Sequence, residues 1–130
     1  QSVGCGIDLL EVARFRRAVR RQGEAFLRRV FTSEERAYAR GKRQAMLHLA
    51  ARFAAKEAVI KAVSQIQPQL PLSLRQIEVS NDAAGRPSVI VRASGIRASI
   101  YVSLSHVASM VTAMAVAVPS ARAPRRKFRA

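Results

Sequence analysis

The stretch from Met46 to Val63 is the longest helical candidate in the chain, and it sets the problem that any fold of this sequence has to solve. Its second half, RFAAKEAVIKAV (52–63), is apolar enough for burial, yet Arg52, Lys56, Glu57 and Lys61 interrupt it. Wound at ~100° per residue, Arg52 stacks on Lys56 and Glu57 on Lys61, as i, i+4 pairs on adjacent faces. Phe53 and Ile60 lie between the pairs, and Ala54, Ala55, Ala58, Val59, Ala62 and Val63 fill the rest. Two readings stand. In one, Glu57 and Lys61 form a salt bridge worth ~0.2–0.5 kcal/mol, and Arg52 and Lys56 make a solvated edge. In the other, the carboxylate coordinates a hard cation while nearby lysines hold phosphate oxygens. Phosphoryl chemistry needs both, a metal bound by few carboxylates and cations for the remaining charge.

The segments around this helix suggest an order of elements. VGCGIDLLEV opens as a strand running into a turn, with Cys5 read as a small core residue. A helical pattern follows in EVARFRRAVRRQGEAFLRRVF, where Val12, Phe15 and Val19 form one stripe and Arg14, Arg17 and Arg21 another; Gly23 is its expected break. FTSEERAYAR carries a capping box, Thr32 with Glu35 three residues on, and Gly41 marks its end. After the proline-containing loop at 67–73, IEVSNDAAGRPSVIV reads as a hairpin. ASIYVSLSH alternates with Ile100, Val102 and Leu104 on one face, and MVTAMAVAV is its partner strand. One strand, three helices and then four short strands imply an α+β fold with an antiparallel sheet. Residues 1–118 are expected to form one domain, and 119–130, PSARAPRRKFRA, a disordered basic tail.

Charge bears on partners. The chain has 130 residues with 23 Lys and Arg against 8 Asp and Glu, a net +15, and removing the five cations of the tail still leaves +10. Such a body seeks an anion: nucleic acid, a membrane surface, an acidic protein or a phosphorylated ligand. The longest apolar run, Met110 to Val118, is far short of the ~20 residues of a membrane-spanning helix. The single cysteine excludes an internal disulfide and a cysteine-based metal site, and fits a reducing, cytoplasmic setting.

A metal site needs more than one carboxylate. Asp8, in GIDLLEVAR, is the economical second ligand beside Glu57, although capping the following helix would also occupy it. SLSH, ending in Ser105 and His106, is either an exposed strand terminus or a phosphate contact. Gly85, Arg86 and Pro87 in AAGRPS suit an ordinary hairpin turn. No Walker loop and no dinucleotide glycine fingerprint is present.

GIDLLEVAR and RFAAKEAVIKA together resemble holo-acyl-carrier-protein synthases, the short members of the 4′-phosphopantetheinyl transferases. FTSEE, GRP and SLSH fall where that family has similar segments, so the resemblance runs from about Val3 to Val118. It implies a 4′-phosphopantetheinyl transferase-like fold with one module per chain. It implies transfer of the phosphopantetheine arm of coenzyme A to a serine of an apo acyl carrier protein, releasing adenosine 3′,5′-bisphosphate. Carried over by position, Asp8 and Glu57 bind Mg²⁺ as catalytic residues together with Lys61, which holds the pyrophosphate. Arg52, Lys56, Ser105 and His106 would hold coenzyme A, with Lys42 and Arg43 as weaker matches for phosphate contacts. Gly85, Arg86 and Pro87 would lie near the adenine end. Arg14, Arg17 and Arg21 would dock the acidic carrier protein, and the short type implies a homotrimer with interfacial active sites. The rival from another class is a basic nucleic-acid-binding protein; few aromatics are available for base stacking, and it leaves Asp8 and Glu57 without a task.

Overall fold

The computed structural model describes residues 2–121, so most of the basic tail lies outside the described residues. Strand β1 (Gly4–Glu11) leads directly into helix α1 (Val12–Val30), followed by α2 (Ser33–Arg40) and α3 (Ala45–Ile66). Strands β2 (Ile77–Asn81), β3 (Pro87–Val91), β4 (Ala98–His106) and β5 (Met110–Pro119) complete the chain. The expected α+β order holds. The strands divide into two antiparallel sheets rather than one: β1-β5-β4, and the separate hairpin β2-β3. Strand β5 takes the centre of the larger sheet because the most apolar strand is the one best covered by neighbours on both edges.

Helix α3 is the core. Ala50, Ala54, Ala55, Ala58, Val59, Ala62 and Val63 are all essentially inaccessible. A helix that is apolar nearly all round is one that packs on several sides, and α3 meets β1, β4 and β5 on one side and α1, α2 and β2 on others. The sheet face turned to it is built of small residues: Gly4 and Gly6 on β1, and Ala113, Ala115 and Ala117 on β5. A Cβ added at Gly4 would sit 1.9 Å from the carbonyl oxygen of Ala62, and one at Gly6 2.1 Å from that of Ala58. Glycine is therefore required at both positions by proximity, and the strand lies directly on the helix backbone.

The other elements close around this pair. At Gly23 the backbone leaves the helical region (φ 64°), so α1 is kinked where the sequence suggested a break. In a straight helix Phe15 and Phe26 would stand ~16 Å apart; the kink brings their ring centroids to 6.2 Å, and both rings meet Phe53 of α3. The capping box of α2 is formed as expected: Thr32 Oγ1 accepts from Glu35 N, and Glu35 Oε1 accepts from Thr32 N. One expectation fails at β1. Cys5 alternates away from Gly4 and Gly6, and so it is exposed rather than part of the core.

Candidate active site

The close approach of β1 to α3 carries Asp8 to Glu57. Gly4, Gly6 and Asp8 share one face of the strand, and the two glycines slide over Ala62 and Ala58. Asp8 then follows in the same row, near the next turns of the helix. It does not cap α1, because the strand continues to Glu11, which occupies the N-cap position. Its backbone oxygen accepts instead from Thr112 Oγ1 at 2.9 Å, which pins this point of β1 to β5.

Lys61 reaches back across the same junction. Its Nζ donates to the carbonyl oxygen of Ile7 at 2.9 Å and lies 3.4 Å from Asp8 Oδ1. With the Lys61 ammonium half exposed and the separation long, the pair contributes little to stability. The helical salt bridge from Glu57 to Lys61 is not formed. Among the described residues Glu57 has no hydrogen bond or ion pair, and burial raises its pKa above the ordinary carboxylate range. The Asp8 charge pushes it further in the same direction, while Lys61 opposes both. Two neighbouring carboxylates, one unpartnered, form an acceptor pair suited to a cation. No cluster of three or more His, Cys, Asp and Glu side chains exists among the described residues. A cation here would thus have at most two protein carboxylates, the donor set Mg²⁺ uses when water and substrate phosphate complete its shell.

Arg52 and His106 share a neighbour, His48. Arg52 is 4% exposed and lies over the ring of Tyr38, its Cζ 4.2 Å from the centroid. Its Nε is buried without a hydrogen-bond partner. His106 ends β4 on the face turned toward α3, in register with Val111. Both act electrostatically on His48, one turn before Arg52, and Lys42 joins them. The sequence reading missed His48. The signal available was its i, i+4 spacing to Arg52.

Three expectations need correction or division. Lys56 is fully buried and is neither a solvated edge nor a phosphate ligand. Its Nζ donates to Glu35 Oε1 at 2.6 Å, to the Leu74 carbonyl at 3.0 Å, and to the Ile77 carbonyl. All three N–H groups are committed, so none is left for a ligand. Ser105 and His106 are separated by strand alternation: Ser105 is paired with Thr112 on the outer face of the sheet, opposite His106. Gly85 and Arg86 lie in the β2–β3 turn and Pro87 opens β3; Gly85 takes φ 81° and Arg86 Nε donates to Asp82 Oδ2 at 3.0 Å. Pro87 is in register with Asn81, whose Nδ2 donates to the Tyr38 hydroxyl, so the turn borders the ring that Arg52 covers. Arg14, Arg17 and Arg21 are exposed on α1.

Gly6→Ala tests the crossing that builds this site. The new methyl group would be driven into the Ala58 carbonyl. The expected cost is at least about 3 kcal/mol, at the upper end of overpacking effects, because backbone rather than a flexible side chain must yield. Chemical denaturation measures it, and a wild-type midpoint would refute the close-approach argument.

A family model described as the 4′-phosphopantetheinyl transferase superfamily matches residues 4–118. The chain belongs to this superfamily. A holo-[acyl-carrier-protein] synthase of Thermodesulfovibrio yellowstonii is 40% identical over 113 residues, which cover 87% of this chain and 96% of that protein. Among solved structures, an ACPS–CoA complex from Chronobacterium ammoniagenes superposes with a TM-score of 0.80 at 30% identity, covering 92% of this chain and 99% of that one. A holo-(acyl-carrier-protein) synthase from Bacillus anthracis, in complex with CoA (3′,5′-ADP), gives 0.75 at 32% identity, with 90% and 96% covered. The enzyme class is that of a phosphopantetheinyl transferase of the holo-[acyl-carrier-protein] synthase type, with one module in the matched residues.

Proposed function

We propose that this superfamily member transfers the 4′-phosphopantetheine arm of coenzyme A to a serine of an apo acyl carrier protein and releases adenosine 3′,5′-bisphosphate. The observation that carries the reading is the convergence of Asp8, the unpartnered Glu57 and Lys61 at the β1–α3 crossing. Asp8 and Glu57 would hold Mg²⁺, which supplies charge neutralisation at the pyrophosphate when bound. Lys61, half exposed and tethered to Ile7, is free to exchange its weak contact with Asp8 for a phosphate oxygen. Such a site positions and neutralises; it needs no covalent enzyme intermediate. Arg52 and His106 would hold coenzyme A through its phosphates. The buried, unpartnered Nε of Arg52 supports this role, since a guanidinium out of water needs an anion. Gly85 and Arg86 of the β2–β3 turn, with Pro87 at the start of β3, would lie near the adenine end.

The outer face of the larger sheet supports assembly. Ile7, Leu9, Tyr101 and Met114 are large side chains about half or more exposed on that face, and a contiguous apolar patch is the mark of an interaction surface. A second copy of the chain is the proposed cover, in a homotrimer whose active sites lie between subunits. Lipid and fatty acid biosynthesis in the cytoplasm is the proposed setting.

Chromatography of the nucleotide product tests the reaction. Adenosine 3′,5′-bisphosphate is expected in step with holo carrier protein, abolished by EDTA and restored by Mg²⁺; a different nucleotide, or EDTA-resistant release, would refute it. The exposed arginines of α1 make a separate prediction. Reversing Arg14 and Arg17 to Glu should lower kcat/KM for carrier protein by roughly 10–100-fold through the lost encounter rate. The KM for coenzyme A should stay unchanged. An equal loss for both substrates would contradict the docking role.

A further inference from the structure

The second group of charges holds a feature that the reaction as described leaves unused. Tyr38, on α2, is surrounded by cations: Arg52 Cζ stands 4.2 Å from its centroid and Lys42 Nζ 4.7 Å. The His48 ring meets it edge-on with centroids 5.7 Å apart. Asn81 Nδ2 donates to the Tyr38 hydroxyl at 3.1 Å and fixes the ring. His48 and Arg52 are one turn apart on α3, so both are held against the same aromatic platform. Among the described ion pairs none involves Lys42, His48 or Arg52. Burial first, and then the charges of Arg52, Lys42 and His106, lower the pKa of His48. The groups facing it are thus one aromatic ring and three cationic or potentially cationic side chains, from α2, the α2–α3 connection, α3 and β4. No carboxylate acts on it.

A buried guanidinium with no counter-ion is costly unless a ligand supplies one. On the reading given above, that ligand is a phosphate of coenzyme A, and the inference rests on that reading. We propose that His48 takes up a proton from solvent when a coenzyme A phosphate seats beside Arg52, becoming an imidazolium that donates a hydrogen bond to the phosphate. Before binding, the surrounding cations favour the neutral ring. The incoming anion reverses the local field, so phosphate and proton bind together. Affinity for coenzyme A then rises as pH falls through the interval between the free and bound pKa values of His48, and is flat outside it.

Calorimetry of coenzyme A binding, in two buffers of different ionisation enthalpy, reads proton uptake directly. The wild-type chain is expected to take up a substantial fraction of one proton more than His48→Gln, and to lose affinity with rising pH by up to about tenfold per pH unit. His48→Gln should bind more weakly and with a flatter pH profile. His48→Lys, which carries a fixed charge, should bind with affinity restored and without the extra uptake. Wild-type binding with no uptake beyond that of His48→Gln overturns the proposal and leaves the coenzyme A site standing. So does uptake that persists unchanged in both variants. Loss of binding in both makes His48 a structural residue and also overturns it. Failure of the wild-type chain to bind coenzyme A removes the underlying site as well.

Discussion

Glu57→Gln lowers turnover on the order of a thousandfold, the scale on which single charges act in phosphoryl-transfer sites, while the protein stays folded. The amide keeps the shape of the carboxylate and removes the charge a cation needs. Glu57 also makes no hydrogen bond or ion pair among the described residues, so the exchange breaks no structural contact. Stability is expected to rise slightly. Burial and Asp8 raise the Glu57 pKa, so the fold disfavours its charged form. That penalty is fully present above the folded-state pKa and disappears as pH falls toward the unfolded value. Near neutrality the variant escapes it, and a thermal melt should show a midpoint at or above wild type. Turnover within a few-fold of wild type would remove Glu57 from the site.

Lys56→Met has the opposite signature, a large loss of stability from a residue that touches no substrate. The ammonium lies at the meeting point of α3, α2 and the turn before β2. Its partner Glu35 accepts from Lys56 and Thr32 through Oε1 and from Val79 N through Oε2. Glu78 extends the network, accepting from Thr32 Oγ1 at 2.7 Å and Arg92 at 2.8 Å. Methionine fills the volume but leaves Glu35 buried without its counter-charge. Breaking a buried pair in this way costs about 3–5 kcal/mol, or roughly 10–20 °C in Tm for a domain of this size. Adding Glu35→Gln should recover part of the loss, because the uncompensated charge is then gone. A shift of only a few degrees in the single variant would show that water or rearrangement satisfies Glu35.

The carboxylate pair was legible because the chain has only eight acids and because GIDLLEVAR and RFAAKEAVIKA both match the family pattern. Its geometry was not legible, since the two acids are distant in sequence and only the crossing of β1 over α3 brings them near each other. The capping box and the Gly23 break, by contrast, were local. The role of Lys56 was not legible. In sequence it looks like half of an exposed i, i+4 pair, and Glu35 looks like an N-terminal capping residue facing water. Only the folding of α2 against α3 converts both to buried partners. Cys5 failed for a related reason: an apolar, small-residue strand does not reveal which face takes the helix until the glycines are seen against Ala58 and Ala62. The split into two sheets was hidden too, since the pairing of β1 with β5 joins the two ends of the chain.

The most direct test of the account is the intact mass of an apo acyl carrier protein after incubation with this chain, coenzyme A and Mg²⁺. The account predicts a gain equal to one phosphopantetheine on the carrier serine, absent with EDTA and nearly absent with Asp8→Asn or Glu57→Gln. An unchanged carrier mass with the wild-type chain, or a gain that survives loss of both carboxylates, would contradict it.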